Sequence, residues 1–343
     1  MEVVTNKQTN KNNMKNKIIA TLVAFGLVGS ASAIEINDNL SVNGFIDGSV
    51  NKVDNPKKEG HSGDTADWGL DEVEVNFLLN VGSVSGELHL DNDGGSDIGI
   101  EQAHFTYSLE NGISLTAGRY GSALGLEGQD PAGLYTYSRA YGSTLEVAEG
   151  RFNPQGFNLG DVDSNSVEGL IVSYAAEAWT LQLSIDNPNG TIRTPGDNGK
   201  DDLDYEVALS YTGIENMNIG LGFRANDAVS STGVSTEDDV FNVNATYQVG
   251  KALLGAEYTE IDSNNVDLDA MMLLVDYDVS DKLGVALRYS DYDTSGTQDA
   301  QKVTIAPNYA ITESLGAILE YSDINNDAAG DSDLIALELT YTF

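Results

Sequence analysis

The final stretch of the chain, Asp333 to Phe343, reads D-L-I-A-L-E-L-T-Y-T-F. Ile335, Leu337, Leu339, Tyr341 and Phe343 fall on one side of an extended backbone, and Ala336, Glu338, Thr340 and Thr342 on the other. Strict alternation of this kind marks a strand with one apolar and one polar face. The pattern recurs upstream. Val73, Val75, Phe77 and Leu79 alternate with Glu72, Glu74 and Asn76; Trp179, Leu181, Leu183 and Ile185 alternate with Gln182, Ser184 and Asp186. Phe241, Val243, Ala245 and Tyr247 alternate with Asn242, Asn244 and Thr246; Leu283, Val285, Leu287 and Tyr289 alternate with Gly284, Ala286 and Arg288. Sixteen strands are predicted, over 40–50, 70–81, 84–91, 99–109, 112–120, 167–175, 178–186, 203–212, 217–225, 238–249, 251–261, 267–279, 282–291, 301–310, 315–323 and 333–343.

Seven of these segments close on a tyrosine: Tyr107, Tyr174, Tyr211, Tyr247, Tyr277, Tyr309 and Tyr341. A short turn or the chain end follows each, as in Leu109-Glu110-Asn111-Gly112 and Val249-Gly250-Lys251. The opposite strand ends carry longer, Asp-rich links, among them 91–97, 187–202, 227–239, 262–267, 291–299 and 325–333. Tight turns at one end and long loops at the other, with an even strand number, predict an all-β transmembrane antiparallel up-and-down β-barrel. The tyrosine cadence then lies at the periplasmic interface, and Tyr258, Tyr289 and Tyr321 belong to an outer girdle, where amphipathic rings are enriched. A soluble sandwich or propeller also has apolar stripes, but needs neither tyrosine rings nor this turn asymmetry.

One link breaks the pattern. Gly121 to Ser166 is much longer than any other connection, and loops this long inside a compact fold are usually functional. It is the third outer loop. Folded inward, it narrows the wide aqueous lumen of a sixteen-stranded barrel, with Leu124, Leu126, Leu134, Tyr135 and Tyr137 as anchors on the wall. An alternative pairs Tyr135–Tyr141 with Thr144–Ala148 as a further hairpin, giving eighteen strands.

The N-terminus reads differently. Lys15 and Lys17 precede the apolar run Ile18 to Gly29, and Ala31-Ser32-Ala33 follows. A charged flank, a short apolar core and a small-x-small site form a secretory signal peptide over 1–33, with 1–13 a mis-start upstream of Met14. Residues 34–343 then form one barrel domain. No apolar run reaches the ~18 residues of a spanning helix.

Composition sharpens this. The chain holds 17 basic and 54 acidic residues, a formal net charge of −37. Loss of 1–33 removes four lysines and Glu2, leaving 13 basic against 53 acidic residues and a net charge of −40. That sign excludes nucleic acid as a partner. The absence of cysteine excludes disulfides and thiolate chemistry.

Candidate chemistry lies in the lumen. Pore-lining carboxylates are predicted at Glu74, Glu206 and Glu257, and also at Glu87, Glu320 and Glu338, with bases at Arg224 and Arg288. The third loop and its mouth add Arg119, Glu127, Arg139, Glu146, Glu149 and Arg151. Carboxylates outnumber bases, so cation preference is expected, because rings of charge in a narrow aqueous pore select by local potential. The counter-reading gathers Arg119, Arg139 and Arg151 into an anion filter. Asp91 to Asp97 has Ca²⁺-like Asp spacing, but Gln102 stands where an EF-hand closes on Glu. No metal or cofactor is expected. His61, His89 and His104 form no nucleophile-base-orienter set, so catalysis is not expected.

Residues Gln102 to Gly142 also carry a resemblance. Tyr107, Leu115, Gly118-Arg119-Tyr120, Leu124-Gly125-Leu126-Glu127 and Tyr137-Ser138-Arg139 resemble the β-barrel porin-2 family, the OmpL-like porins of Gram-negative outer membranes. Asn43 to Asp47 and the terminal Phe343 fit as well. The resemblance is specific over about forty residues and compositional elsewhere. It implies a passive outer-membrane porin for small hydrophilic solutes and carries over no ligand residues. Expected partners are outer-membrane lipid and lipopolysaccharide, the barrel-assembly machinery through Phe343, and further copies of the chain. Two rival readings are an acidic-looped structural or adhesive barrel with a plugged lumen, and a barrel enzyme.

Overall fold

The computed structural model describes residues 33–54, 65–92, 95, 97–127, 130–141, 166–186, 203–229, 235–263, 267–294, 298–327 and 330–343. Residues 1–32 of the predicted leader, Glu146, Glu149, Arg151 and the second half of the proposed extra hairpin lie outside the described residues.

Strand β1 (Ile34–Asn37) is a short stub that folds back on β2 (Leu40–Asp54). The chain continues through β3 (Thr65–Val81), β4 (Val84–Asn92), β5 (Gly99–Ser108) and β6 (Ile113–Gly121). After the long third loop come β7 (Ser166–Ala175), β8 (Trp179–Asp186), β9 (Asp204–Tyr211), β10 (Met217–Val229), β11 (Ser235–Val249) and β12 (Ala252–Ser263). The last five are β13 (Leu268–Asp278), β14 (Leu283–Thr294), β15 (Gln298–Ala310), β16 (Leu315–Asn326) and β17 (Ser332–Thr342). From β2 to β17 each strand pairs antiparallel with the next. β17 returns to β2, Glu338 opposite Ser49 and Thr342 opposite Phe45, so sixteen strands close the ring. Tyr135 to Tyr141 forms no strand, so the described ring has no seventeenth or eighteenth stave.

The seam is tight. Phe343 N–H donates to the Gly44 carbonyl and Gly44 N–H to that of Phe343, both at 3.0 Å. A Cβ at Gly44 would stand 2.2 Å from the Glu74 carbonyl and 2.9 Å from the Phe343 ring, so only glycine lets the three strands approach.

The alternation holds around the ring. Leu287, Leu337, Leu319 and Leu183 are exposed on the outside, while Arg288, Glu338, Glu320 and Ser184 are buried on the inside. A wall that is apolar outward and polar inward, with no open edge, is what a bilayer demands of strands. No helix among the described residues is long and apolar enough to cross a membrane. Six of the seven cadence tyrosines are exposed on the outer face, and Tyr211 lies 4.1 Å, centroid to centroid, from Trp179 beside it. At the other end Tyr258 and Tyr321 donate to Asp269 and Asp333 at 2.6 and 2.7 Å.

Two details differ from the sequence expectation. Several Asp-rich links remain paired strand: β10 and β11 stay in register out to Val229 opposite Ser235, through a region predicted as loop. Backbone pairing needs no apolar side chains once the hairpin stands in water. Within the described part of the ring two bulges also break strict alternation, one in β3 and one in β5.

Candidate functional site: the lumen and its inner loop

The third loop turns into the barrel directly after β6. Its first limb, Ser122 to Leu126, lies on β9 to β12. Ser122 Oγ donates to Glu206 Oε2 at 2.6 Å and Ala123 N–H to Glu206 Oε1 at 2.9 Å. Gly125 N–H reaches Asn242 Oδ1 at 3.3 Å and Leu126 N–H reaches Glu257 Oε1 at 3.1 Å. Leu124 is 1% exposed and packs with Val240, Ile261 and Met272. Gly222 makes room for it: a Cβ there would lie 2.7 Å from Leu124 Cγ.

The second limb, Asp130 to Tyr141, crosses to β13–β17 and β2. A short 3-10 turn, Pro131–Gly133, starts it. Tyr135 packs on Leu274, Ala286, Ala306 and Ile318. Tyr137 O accepts from Ser49 Oγ at 3.2 Å and Asn51 Nδ2 at 3.1 Å, and burial pushes its phenol up to about 12, so it stays neutral. Ser138 N–H donates to Glu320 Oε2 at 2.9 Å, and its hydroxyl also meets that carboxylate. Lys302 Nζ donates to Ser138 Oγ and, at 3.0 Å, to the Arg139 carbonyl.

Arg288 ties the limbs together. Its Nη1 donates to Glu127 Oε1 at 2.5 Å and Thr136 Oγ1 at 2.7 Å, while its Nη2 reaches Ser138 Oγ at 3.2 Å. Glu127 Oε2 in turn accepts from Ala140 N–H at 2.7 Å. Three residues expected on the pore wall, Glu206, Glu257 and Glu320, thus accept backbone N–H groups of the loop. Among the described residues two cavities adjoin the loop. A cavity of about 240 Å³ runs between the first limb and the wall, lined by Gln182, Asn218, Asn244 and Thr246 among others. A second, of about 250 Å³, lies near the short turns beside Lys251, Asp276 and Asn308.

Two further charged groups line the lumen. Arg224 is buried against Asp186, Asp204 and Glu206, with Nη2 to Asp186 Oδ1 at 2.6 Å. Glu74 is buried beside His89, Glu87 and Glu101 on β3, β4 and β5. Arg119 shares the alternation phase of exposed Leu115, opposite to buried Tyr120, and its Nε donates to the Glu101 carbonyl at 2.8 Å. Sequence reasoning placed Asp186 on the inward face and named His89 without giving either a role in the pore, and did not name Lys302, Asp204 or Glu101. Lys302, Asp186 and Asp204 lie on the inward phase and were open to discovery; Glu101 was not.

The family model described as Gram-negative porin matches residues 20–329, most of the chain. The chain belongs to the Gram-negative porin family. It is an integral β-barrel of the outer membrane with a channel function. The porin resemblance of residues 102–142 points the same way. No curated protein sequence matches the chain. Among solved structures, the anion-selective porin of Comamonas acidovorans is similar at a TM-score of 0.67 and 12% identity, covering 89% of this chain and 99% of that one. The outer-membrane channel DcaP of Acinetobacter baumannii gives 0.65 and 14%, covering 91% and 100%. The trimer form of OmpT from Vibrio cholerae gives 0.59 and 14%, covering 89% and 99%. At such identities the likeness is one of fold.

Proposed function

We propose that this porin passes small hydrophilic solutes and ions by diffusion and prefers cations. The supporting observation is the charge of the inner wall. Among the described buried residues nine carboxylates stand against three basic side chains, Arg224, Arg288 and Lys302. In a narrow aqueous path with low-dielectric walls, that excess favours cations at short range, where salt does not screen it. The Comamonas acidovorans porin is anion-selective, so a shared fold leaves the sign to the side chains. The reversal potential across a planar bilayer in a KCl gradient tests the proposal. Potassium is expected to pass in excess of chloride; anion preference would end the reading.

The many bonds from loop to wall favour a second reading, in which the lumen is plugged and the acidic outer face carries the function. Liposome swelling with a graded sugar series separates the two. Swelling that falls with sugar size supports the channel; none at any size supports the plug. In either case we infer export through the 1–33 leader, tight turns in the periplasm and Asp-rich ends outside. An epitope at Asn326 is then labelled on intact cells and one at Asn216 is not. Non-enzymatic function is inferred with it, since described His89 and His104 meet carboxylates rather than a hydroxyl nucleophile.

A further inference from the structure

The cluster on β3, β4 and β5 is built differently from the rest of the wall. Glu74 is 1% exposed, and neither of its oxygens accepts a well-formed hydrogen bond among the described residues. His89 Nδ1 lies 2.9 Å from Glu74 Oε1 and 3.8 Å from Glu101 Oε2, which also lacks a hydrogen-bond partner. A buried carboxylate so placed carries a large desolvation cost unless a cation meets it.

The backbone places the third group. His89 pairs with Gln102 and Leu90 with Ile100, so Glu101 is the extra residue of a β-bulge. Strict alternation would turn Glu101 outward with Ala103 and Phe105. The bulge turns it to the imidazole instead, a re-aiming that bulges commonly perform beside functional sites.

The far side of the imidazole fits as well. His89 Nε2 lies 3.2 Å from Glu87 Oε2. A histidine that ligates a metal through one nitrogen typically donates its other N–H to a carboxylate, which fixes the tautomer. With a metal on Nδ1, Glu87 would accept from Nε2–H and the Nδ1 lone pair would face Glu74 and Glu101.

We propose that Glu74, His89 and Glu101 bind one divalent transition-metal ion of the Zn²⁺ class. Two ligands each about 2.1 Å from a tetrahedral ion lie roughly 3.4 Å apart. The 2.9 and 3.8 Å separations bracket that value. One imidazole nitrogen among carboxylate oxygens suits Zn²⁺ better than Ca²⁺, which takes six to eight oxygens. The fourth position faces the loop: ligand oxygens of Glu72, Glu74 and Asp130 also lie within 4.8 Å of one another. Asp130 begins the second limb, so the ion links the inner loop to a wall sector nearly opposite the Glu206–Glu257 contacts. The proposal concerns ion binding and stands whether or not the pore conducts.

The test uses the folded full-length barrel in detergent, stripped with a chelator and dialysed against Zn²⁺ alone. Heat-modifiable gel mobility confirms folding of every variant. Wild type is expected to retain one zinc per chain. His89→Gln, Glu74→Gln and Glu101→Gln are each expected to weaken binding at least tenfold, and Glu87→Gln less. Asp323→Asn, on the acidic outer end, is expected to leave binding unchanged. Co²⁺ in wild type should give visible ligand-field bands that His89→Gln abolishes. Zinc held equally by wild type and folded His89→Gln, or no stoichiometric zinc in wild type, overturns the proposal. If His89→Gln does not fold, Glu101→Gln takes its place in both comparisons.

Discussion

Two sectors of the lumen wall use carboxylates in opposite ways. On β9 to β16, Glu206, Glu257 and Glu320 each accept a backbone N–H of the inner loop; Glu206 also meets Arg224, and Glu320 shares Ser138 Oγ with Lys302. On β3 to β5, Glu74 and Glu101 face a single imidazole and no loop backbone N–H among the described bonds. In sequence Glu74 looks like Glu206, Glu257 and Glu320, since all four are Glu on the inward side. A lumenal carboxylate covered by peptide N–H groups holds a loop in place; one that faces an imidazole instead is left to meet an ion. Inward position alone therefore does not mark a selectivity residue.

The largest effect on the pore should come from the guanidinium that joins the limbs. Arg288→Ala leaves the half-buried Glu127 without its cation and removes the donors to Thr136 and Ser138, a loss of up to about 3 kcal/mol. The loop is expected to undock. Single-channel conductance should rise and the loop should become open to protease. Unchanged conductance would mean that the β14–β16 sector does not hold the loop.

A comparable energetic effect separates inside from outside at the adjacent position. Leu287 is 50% exposed on the lipid face and Arg288 is 2% exposed within. Leu287→Arg should cost about 2–4 kcal/mol near the midplane, read from folding into vesicles. Equal tolerance of Leu287→Ser and Arg288→Ser would show the register to be wrong by one.

Next comes the direct contrast between sectors. Glu257→Gln keeps one acceptor for Leu126 N–H and should cost about 1–3 kcal/mol of loop docking. It should change conductance more than ion preference. Glu101→Gln, measured in chelator, should do the reverse and lower the K⁺ over Cl⁻ ratio. Reversal potentials that shift equally in both variants would dissolve the distinction.

The smallest effect is expected at Tyr137→Phe. It removes the acceptor for Ser49 and Asn51 at a net cost of about 1 kcal/mol. A modest rise in conductance noise with unchanged selectivity is the expected reading; a large selectivity change would place Tyr137 among the ion-contacting groups.

The sequence by itself determined the barrel. Period-2 alternation, the tyrosine cadence and the spacing of turns specify sixteen staves and which face of each meets lipid, because a bilayer accepts no unpaired backbone and few polar outward side chains. The inward turn of the third loop and its anchors Leu124, Leu134 and Tyr135 were legible too, since apolar residues in a polar lumen must find a wall. The tertiary structure alone decided what the inward charges do. Glu206 and Glu74 have the same phase and chemistry in sequence, and differ in what the fold brings to them: a loop N–H and Arg224 to the first, His89 to the second. Glu101 and Asp71 were hidden more deeply. Each is the extra residue at a bulge, and Asp71 turns to Ser49 as Glu101 turns to His89. A bulge is set by how two strands pair around the whole ring, and one added residue reverses inside and outside, so no count along a single strand reveals it.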